Sequence, residues 1–404
     1  MTSSAIPDRD PTVRNVVLLA ICQALAMTGM SVNMTVTALV GQQLASDPAW
    51  ATVPLALQFT ATMLTTLPAS FLMRRIGRRS GFALGITIGI VGALTAFHGI
   101  FEKSFLIFTA GSMMIGCFQG FAVFYRHAAA DTASQAFRSK AISLVLAGGV
   151  FAALVGPELS KWSYDLFTPV IYAGCFIIVA SVQALSFAFL YFVRIPPPAL
   201  PSEGVHVRPL SVIIRQPTFL VAAIGAMIGY GVMSFVMTAT PLAIMGCGYE
   251  FRDAAFVIQW HVLAMYAPSF FTGSLIQRFG VRQVMLTGAV ILTGAVAVNI
   301  SGIEIERFWL GLVMLGIGWN FMFVGGTSLL AECHTPEERA KVQGLNDFLV
   351  FGTVTASSFA SGALLNAFGW NAVNYGVLPL LGVATSVIAF ALWRQRASAQ
   401  TSQM

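Results

Sequence analysis

Arg75-Ile76-Gly77-Arg78-Arg79 recurs 203 residues further on as Arg278-Phe279-Gly280-Val281-Arg282, and each copy lies between two long apolar stretches. A second set keeps nearly the same offset: Asp131, Arg138 and Lys140 return as Glu332, Arg339 and Lys341. Charge is thus held at fixed breaks between membrane-length segments, twice over. A chain patterned this way is two copies of one multi-helix unit, and duplicated bundles with basic loops are the usual build of membrane proteins that move solutes.

Composition sharpens the class. Hydrophobic residues make up 57% of the 404 and charged residues only 9%, against roughly 25% charged in soluble domains. A soluble protein this apolar could not cover its surface, so lipid must be the solvent for much of it. The five cysteines, Cys22, Cys117, Cys175, Cys247 and Cys333, show no CxxC or Cys/His spacing. Neither a disulfide framework nor a metal site is indicated. Met1 to Arg14 is polar, with Pro7 and Pro11 and no short apolar core before a cleavage site. The first span is therefore expected to be retained.

Runs near the roughly 20 residues that cross a bilayer fall at 15–44, 51–73, 80–100, 105–126, 141–160 and 169–193 in the first half. The second half has 218–245, 254–276, 283–301, 307–330, 342–366 and 371–393. The expected fold is all-α: twelve transmembrane helices in two pseudo-symmetric six-helix bundles, 1–193 and 218–404. Between them, 194–217 carries Pro196-Pro197-Pro198, Glu203, His206 and Arg208 and reads as a cytoplasmic linker. With both termini inside, eighteen Lys and Arg face the cytoplasm, and only Lys103, Lys161, Arg252 and Arg307 face out. That asymmetry orients the chain. It also explains the net charge of +6 through anionic inner-leaflet lipid, with no nucleic-acid partner. Small residues four apart, such as Gly148/Ala152/Gly156 and Gly352/Ala356/Ala360, let helix backbones approach closely, either as bundle packing or as a seam between rocking halves.

On these residues the chain resembles the major facilitator superfamily over essentially its whole length. The family's G-x-L-a-D-R-x-G-R-R loop stands here as Ser70-Phe71-Leu72-Met73-Arg74-Arg75-Ile76-Gly77-Arg78-Arg79, and again as Gly273 to Arg282. The resemblance implies a cytoplasmic latch of Arg74, Arg75, Gly77, Arg78, Arg79, Arg278, Gly280 and Arg282. In it Arg75 would reach Asp131 and Arg278 would reach Glu332. Two departures matter. The family's acid before the first arginine is Arg74 here, so its partner at the start of the eleventh span would be Asp347. Gly116-Cys117-Phe118-Gln119-Gly120 places glycine where drug/proton antiporters carry an arginine, which counts against that mechanism. Gly148 through Gly156-Pro157 partly matches an antiporter motif, but Glu158-Leu159-Ser160 follows where glycines are expected.

Few ionisable residues lie at membrane depth. His261 is well inside a span, either as a structural histidine or in a coupling or substrate role. Arg126, beside Tyr125, ends the fourth span and could snorkel to the inner interface. The family's cavity-lining spans supply Gln23, Asn33, Gln119, Tyr125, Tyr230, Trp319 and Asn320. Each alone is more often a packing residue. Together with His261 they describe a neutral, amide-rich and aromatic cavity suited to a flat heteroaromatic solute. The segments Phe124 to Asp131 and Ala340 to Thr353 are similar to a proteobacterial branch of the superfamily that includes riboflavin importers.

The expected function is uptake of a small, largely neutral organic solute across the bacterial inner membrane by alternating access, riboflavin being the sharpest candidate. Efflux of lipophilic or drug-like compounds is the alternative. No catalytic cluster, metal spacing or nucleotide loop is present, so neither enzyme chemistry nor a cofactor is expected. The expected partners are the solute and the lipid bilayer, with the chain acting as a monomer.

Overall fold

The computed structural model describes residues 11–132, 138–195, 208–335 and 337–401. The side chains of 130–132 and 138–143, Asp131 among them, lie outside the described residues. The described residues are helical, with no strand. That is what a bilayer requires of these apolar runs, because a helix satisfies its own backbone groups where no water can.

The first half comprises α1 (Pro11–Leu44), α2 (Val53–Ile76), α3 (Arg78–Phe101), α4 (Phe105–Ala122) continued by α5 (Tyr125–Thr132), α6 (Arg138–Ser163) and α7 (Ala173–Tyr191). A short α8 (Leu210–Ile213) precedes the second half. That half has α9 (Pro217–Gly246), α10 (Phe251–Tyr266), α11 (Ser269–Phe279), α12 (Val281–Asn299), α13 (Ile305–Ala331) and α14 (Arg339–Thr401). Among the described residues nine helices are long and apolar enough to span a bilayer, ten if α10 and α11, bent by 42° at their break, count as one. The 63-residue α14 is two helices meeting at Gly369, whose φ of 78° is non-helical. With that division, and with the 26-residue α6, the architecture follows the six-plus-six pattern of the sequence.

The repeat is visible in the backbone. Gly77 (φ 84°, ψ 151°) ends α2 and begins α3, and Gly280 (φ 90°, ψ 146°) does the same between α11 and α12. No atom lies within 4 Å of a Cβ built on either glycine. The glycines are therefore required by the positive φ and not by space. The last arginine of each loop copy then does the same job. Arg79 donates to the Tyr191 carbonyl at 2.8 Å and lies over the Tyr191 ring, while Arg282 donates to Gln395 Oε1 at 2.9 Å. Each ties the third span of its half to the end of the sixth.

The halves have separate cores. One is built from α9, α10, α12, α13 and α14 around Trp319, Met322 and Trp370. Another lies among α1–α5 and α7 around Phe82, Phe118 and Tyr125. A third cluster bridges the halves at the end farthest from the linker, joining Val36, Leu39 and Tyr172 to Leu242, Phe251 and Ala255. There Phe251 lies 4.8 Å from Tyr164 and 5.2 Å from Tyr172, ring centroid to centroid. Gln259 donates to the Leu154 carbonyl at 3.1 Å. This end is sealed by rings.

The linker end is different. Arg74, Arg75, Arg278 and Glu332 are exposed. Among the described residues no ion pair joins Arg278 to Glu332 or Arg74 to Asp347, so the two expected latch contacts are absent from this conformation. The largest group of polar contacts described there belongs to the second half. Arg208 makes a fork to Glu338 (Nε–Oε1 2.8 Å, Nη2–Oε2 2.6 Å) and donates to the Cys333 carbonyl at 3.0 Å. Lys341 donates to the Arg208 carbonyl, and Gln216 to that of Cys333 at 3.2 Å. The Arg208 guanidinium holds the buried Glu338 carboxyl down at about 2. The start of the second half is thereby clamped to the loop between α13 and α14.

Candidate functional site

Between the halves lies a narrow cavity of about 40 Å³, walled by α1, α2, α6, α9 and α10. Its wall is rich in thioethers: Met27, Met30 and Met34 from α1, Met233 and Met237 from α9, and Met265 from α10. Their three- and four-residue spacing puts each set on one helix face. Unbranched, polarisable side chains of this kind adapt to a flat ligand and favour contact with rings. Phe59, Tyr230 and Tyr266 complete the apolar wall, and Ser31, Ser234 and Thr238 add hydroxyls.

Behind Tyr230 stands an aromatic cluster. Trp319 stacks on Phe323 at 5.1 Å with 11° between planes. Tyr230 sets its ring edge-on to both, at 5.3 Å each, and lies 6.2 Å from Phe351. Tyr266 meets Trp319 at 6.0 Å. Such T-shaped contacts fix ring orientation, with roughly 0.5–1.5 kcal/mol per pair beyond burial. Trp319 is 4% exposed, and its indole Nε1 is buried with no partner.

Of the cavity residues expected from sequence, Tyr230 is on the wall and Trp319 directly behind it. Gln23 is half-buried and one turn from Met27 on the same face of α1. Gln119 lies deeper, accepting from Thr62 at 3.4 Å. The other four are placed elsewhere. Asn33 is fully buried, donating to Gln58 between α1 and α2. Tyr125 is fully buried and stacked on Phe82 at 4.3 Å inside the first half. His261 is fully buried against α13, its Nδ1 2.8 Å from the Leu312 carbonyl.

Asn320 is also fully buried, and it braces the α10–α11 break. It donates to the Met265 carbonyl and to Ser269 Oγ, both at 2.7 Å, and accepts from Thr272 at 2.6 Å. Pro268 cannot donate, so the bend leaves backbone groups that a neighbouring helix must satisfy. Asn320 does so. An amide beside a cavity aromatic therefore serves the fold.

Two half-buried charged residues, Arg126 and Asp347, lie outside the cavity wall. Arg126 is half-buried with its Nε unpartnered, and its charge acts on Tyr230, Tyr266 and Asp347 of the other half. It does not sit among the surface arginines of the linker end. Asp347 lies one helical turn before Phe351, which faces Tyr230. Gly116 also has a structural explanation. A Cβ there would collide with the Gln58 carbonyl oxygen and backbone on α2, so α4 has no room for an arginine at that position.

The methionine wall and Tyr266 were missed in the sequence reading. The Met27/Met30/Met34 spacing was available as a signal.

The chain matches the Major Facilitator Superfamily over residues 19–266 and 260–403. It is 41% identical over 389 residues to the riboflavin transporter RfnT of Brucella anthropi, covering 96% of this chain and 98% of that protein. It is 27% identical over 392 residues to the uncharacterized MFS-type transporter YdeG of Bacillus subtilis, covering 93% and 90%. Among solved structures it superposes on a bacterial homologue of the human lysosomal transporter Spinster with TM-score 0.72 and 16% identity, covering 95% of this chain and 97% of that one. It superposes on the human organic anion transporter MFSD10 with TM-score 0.69 and 14% identity, covering 94% and 100%. Identities that low bear on fold alone. Two helical bundles, repeated glycine turns, a cavity between the halves and a family match along nearly the whole chain lead to one conclusion: this protein belongs to the major facilitator superfamily of membrane transporters.

Proposed function

We propose that this transporter carries riboflavin into the cell by alternating access, with its linker end in the cytoplasm of a bacterium and its ring-sealed end outside. The observation that carries the reading is the 41% identity to a riboflavin transporter over almost the full length of both chains. The cavity supports it on chemical grounds. A wall of methionines and tyrosines buries a flat ring system, and a few hydroxyls beside it can meet a polyhydroxyl side chain. In this conformation the described cross-half contacts of Phe251, Gln259 and the bridging cluster lie at the sealed end. The exposed loop charges at the other end are free to close.

Efflux finds less support. Of the glycines of the partial antiporter motif, Gly156 has no room for a Cβ against Ser31, and Gly148 packs tightly on Ala24. They work as a packing seam between α6 and α1. The test is growth and labelled-riboflavin uptake in a riboflavin-auxotrophic bacterium expressing the chain. Accumulation above the empty-vector level supports import. Loss of preloaded riboflavin at a raised rate, without uptake, would support export.

A further inference from the structure

The offset of 203 residues that relates Arg75 to Arg278 also relates the two sides of the cavity. Met30-Ser31-Val32-Asn33-Met34-Thr35 on α1 is matched 203 residues later by Met233-Ser234-Phe235-Val236-Met237-Thr238 on α9. Both copies read Met-Ser-x-x-Met-Thr, and in each the two methionines and the serine line the cavity. The same offset pairs Met27 with Tyr230, and Phe59 on α2 with Val262 on α10, and these four line it too. A helix puts positions three and four apart on one face, which sets each serine among its methionines. The site is therefore two-sided, with one copy of the same face from each half.

In this conformation the two faces meet. Met34 packs against the second-half core that holds Met233 and Met237, and Met30 clusters with Tyr230 and Phe323. Methionine is unbranched and adaptable, so a flat ring can replace these contacts and gain sulfur on both of its faces. The hydroxyls break the symmetry. Ser234 Oγ is 3.1 Å from Ser358 Oγ and is engaged there. Ser31 is 4% exposed, and its Oγ is buried without a partner. Its neighbour on α6 is Gly156, which has no side chain to offer it. A buried hydroxyl left unpaired is costly, and the cavity that Ser31 lines is where a partner can arrive.

We infer that cargo is gripped between two copies of one Met-Ser-x-x-Met face, and that Ser31 is the specificity-determining residue, bonding a hydroxyl of the cargo's side chain. The fitting class is a flat ring with a hydroxylated substituent. The inference rests on the riboflavin reading and adds the two-sided grip and the contact that reads the chain.

The test measures equilibrium binding of riboflavin and of lumiflavin to the purified full-length transporter. Lumiflavin has the same ring with a methyl in place of the hydroxylated chain. Met30→Ala and Met233→Ala should each weaken both flavins by a similar factor, roughly three- to tenfold. Ser31→Ala should weaken riboflavin roughly three- to tenfold and leave lumiflavin unchanged. Ser234→Ala should leave the ratio of the two affinities at the wild-type value. A loss confined to one methionine of the pair overturns the inference, as does a Ser31→Ala variant with an unmoved ratio, the result of a merely structural serine. Met30→Leu and Met233→Leu keep the volume and stand in for an alanine variant that fails to fold, with equal but smaller losses expected. Wild type that binds both flavins equally defeats the inference alone. Wild type that binds neither removes the riboflavin reading itself, and the inference with it.

Discussion

At the scale of single residues, the two members of the Trp319-Asn320 dipeptide have opposite jobs. Asn320→Ala removes three contacts at the α10–α11 break and leaves the Met265 carbonyl unpaired, at a cost of about 1–2 kcal/mol. The expected outcome is a lower thermal midpoint for the detergent-solubilised protein with flavin affinity little changed. Trp319→Ala removes a ring that buttresses Tyr230 on both faces of the cluster and should weaken binding before it weakens the fold. Reversed outcomes would mean the assignments are interchanged. Polar residues of these spans were legible in the sequence, but their direction was not. Asn33, Tyr125, His261 and Asn320 are each hydrogen-bonded or stacked inside one half. Helical spacing alone does not tell a cavity face from an interhelix face when both are apolar.

At the scale of elements, the repeated loop glycines stand at the breaks between the second and third helices of each half, and both hold a positive φ. Gly77→Ala and Gly280→Ala each force an L-residue to φ near +84° or +90°, a strain of about 1–2 kcal/mol. Similar losses of thermal stability are expected from the two because the repeat places them alike. A loss at only one site would contradict that equivalence. The clamp of Arg208 on Glu338 was not legible, because its partners are 130 residues apart and only the folded second half brings them together. Its pH behaviour follows from the sign of the shift. The folded carboxyl is held at about 2, below its ordinary value of 4.5, so the clamp is intact above that ordinary value and lost as pH falls toward about 2. Hydrogen exchange over 208–216 at pH 7 should accelerate in Glu338→Gln, whereas the wild type should show the same release only in strong acid. Unchanged exchange in the variant would remove the clamp from the account.

At the scale of the whole molecule, a cavity lies between two helical bundles, and the chain's orientation is open to a direct probe. Cys247 is exposed at the ring-sealed end, while Cys22, Cys175 and Cys333 are buried. An impermeant maleimide should label intact cells at Cys247, and Cys247→Ser should abolish that labelling. Labelling only after permeabilisation would reverse the topology. Architecture at this scale was set by the repeat and by the side on which arginine falls, both of which are one-dimensional properties of the chain. Which face of each bundle meets the other is not such a property, and with it went the identity of the methionine wall.

The most direct measurement of the central claim is counterflow in proteoliposomes containing the purified chain. Vesicles loaded with unlabelled riboflavin are diluted into a trace of the labelled vitamin. A transient internal overshoot of label is expected, lost with the Trp319→Ala variant at the same riboflavin concentration. Wild-type vesicles that show no overshoot, while a control transporter reconstituted in parallel does, would contradict riboflavin as the cargo of this cavity.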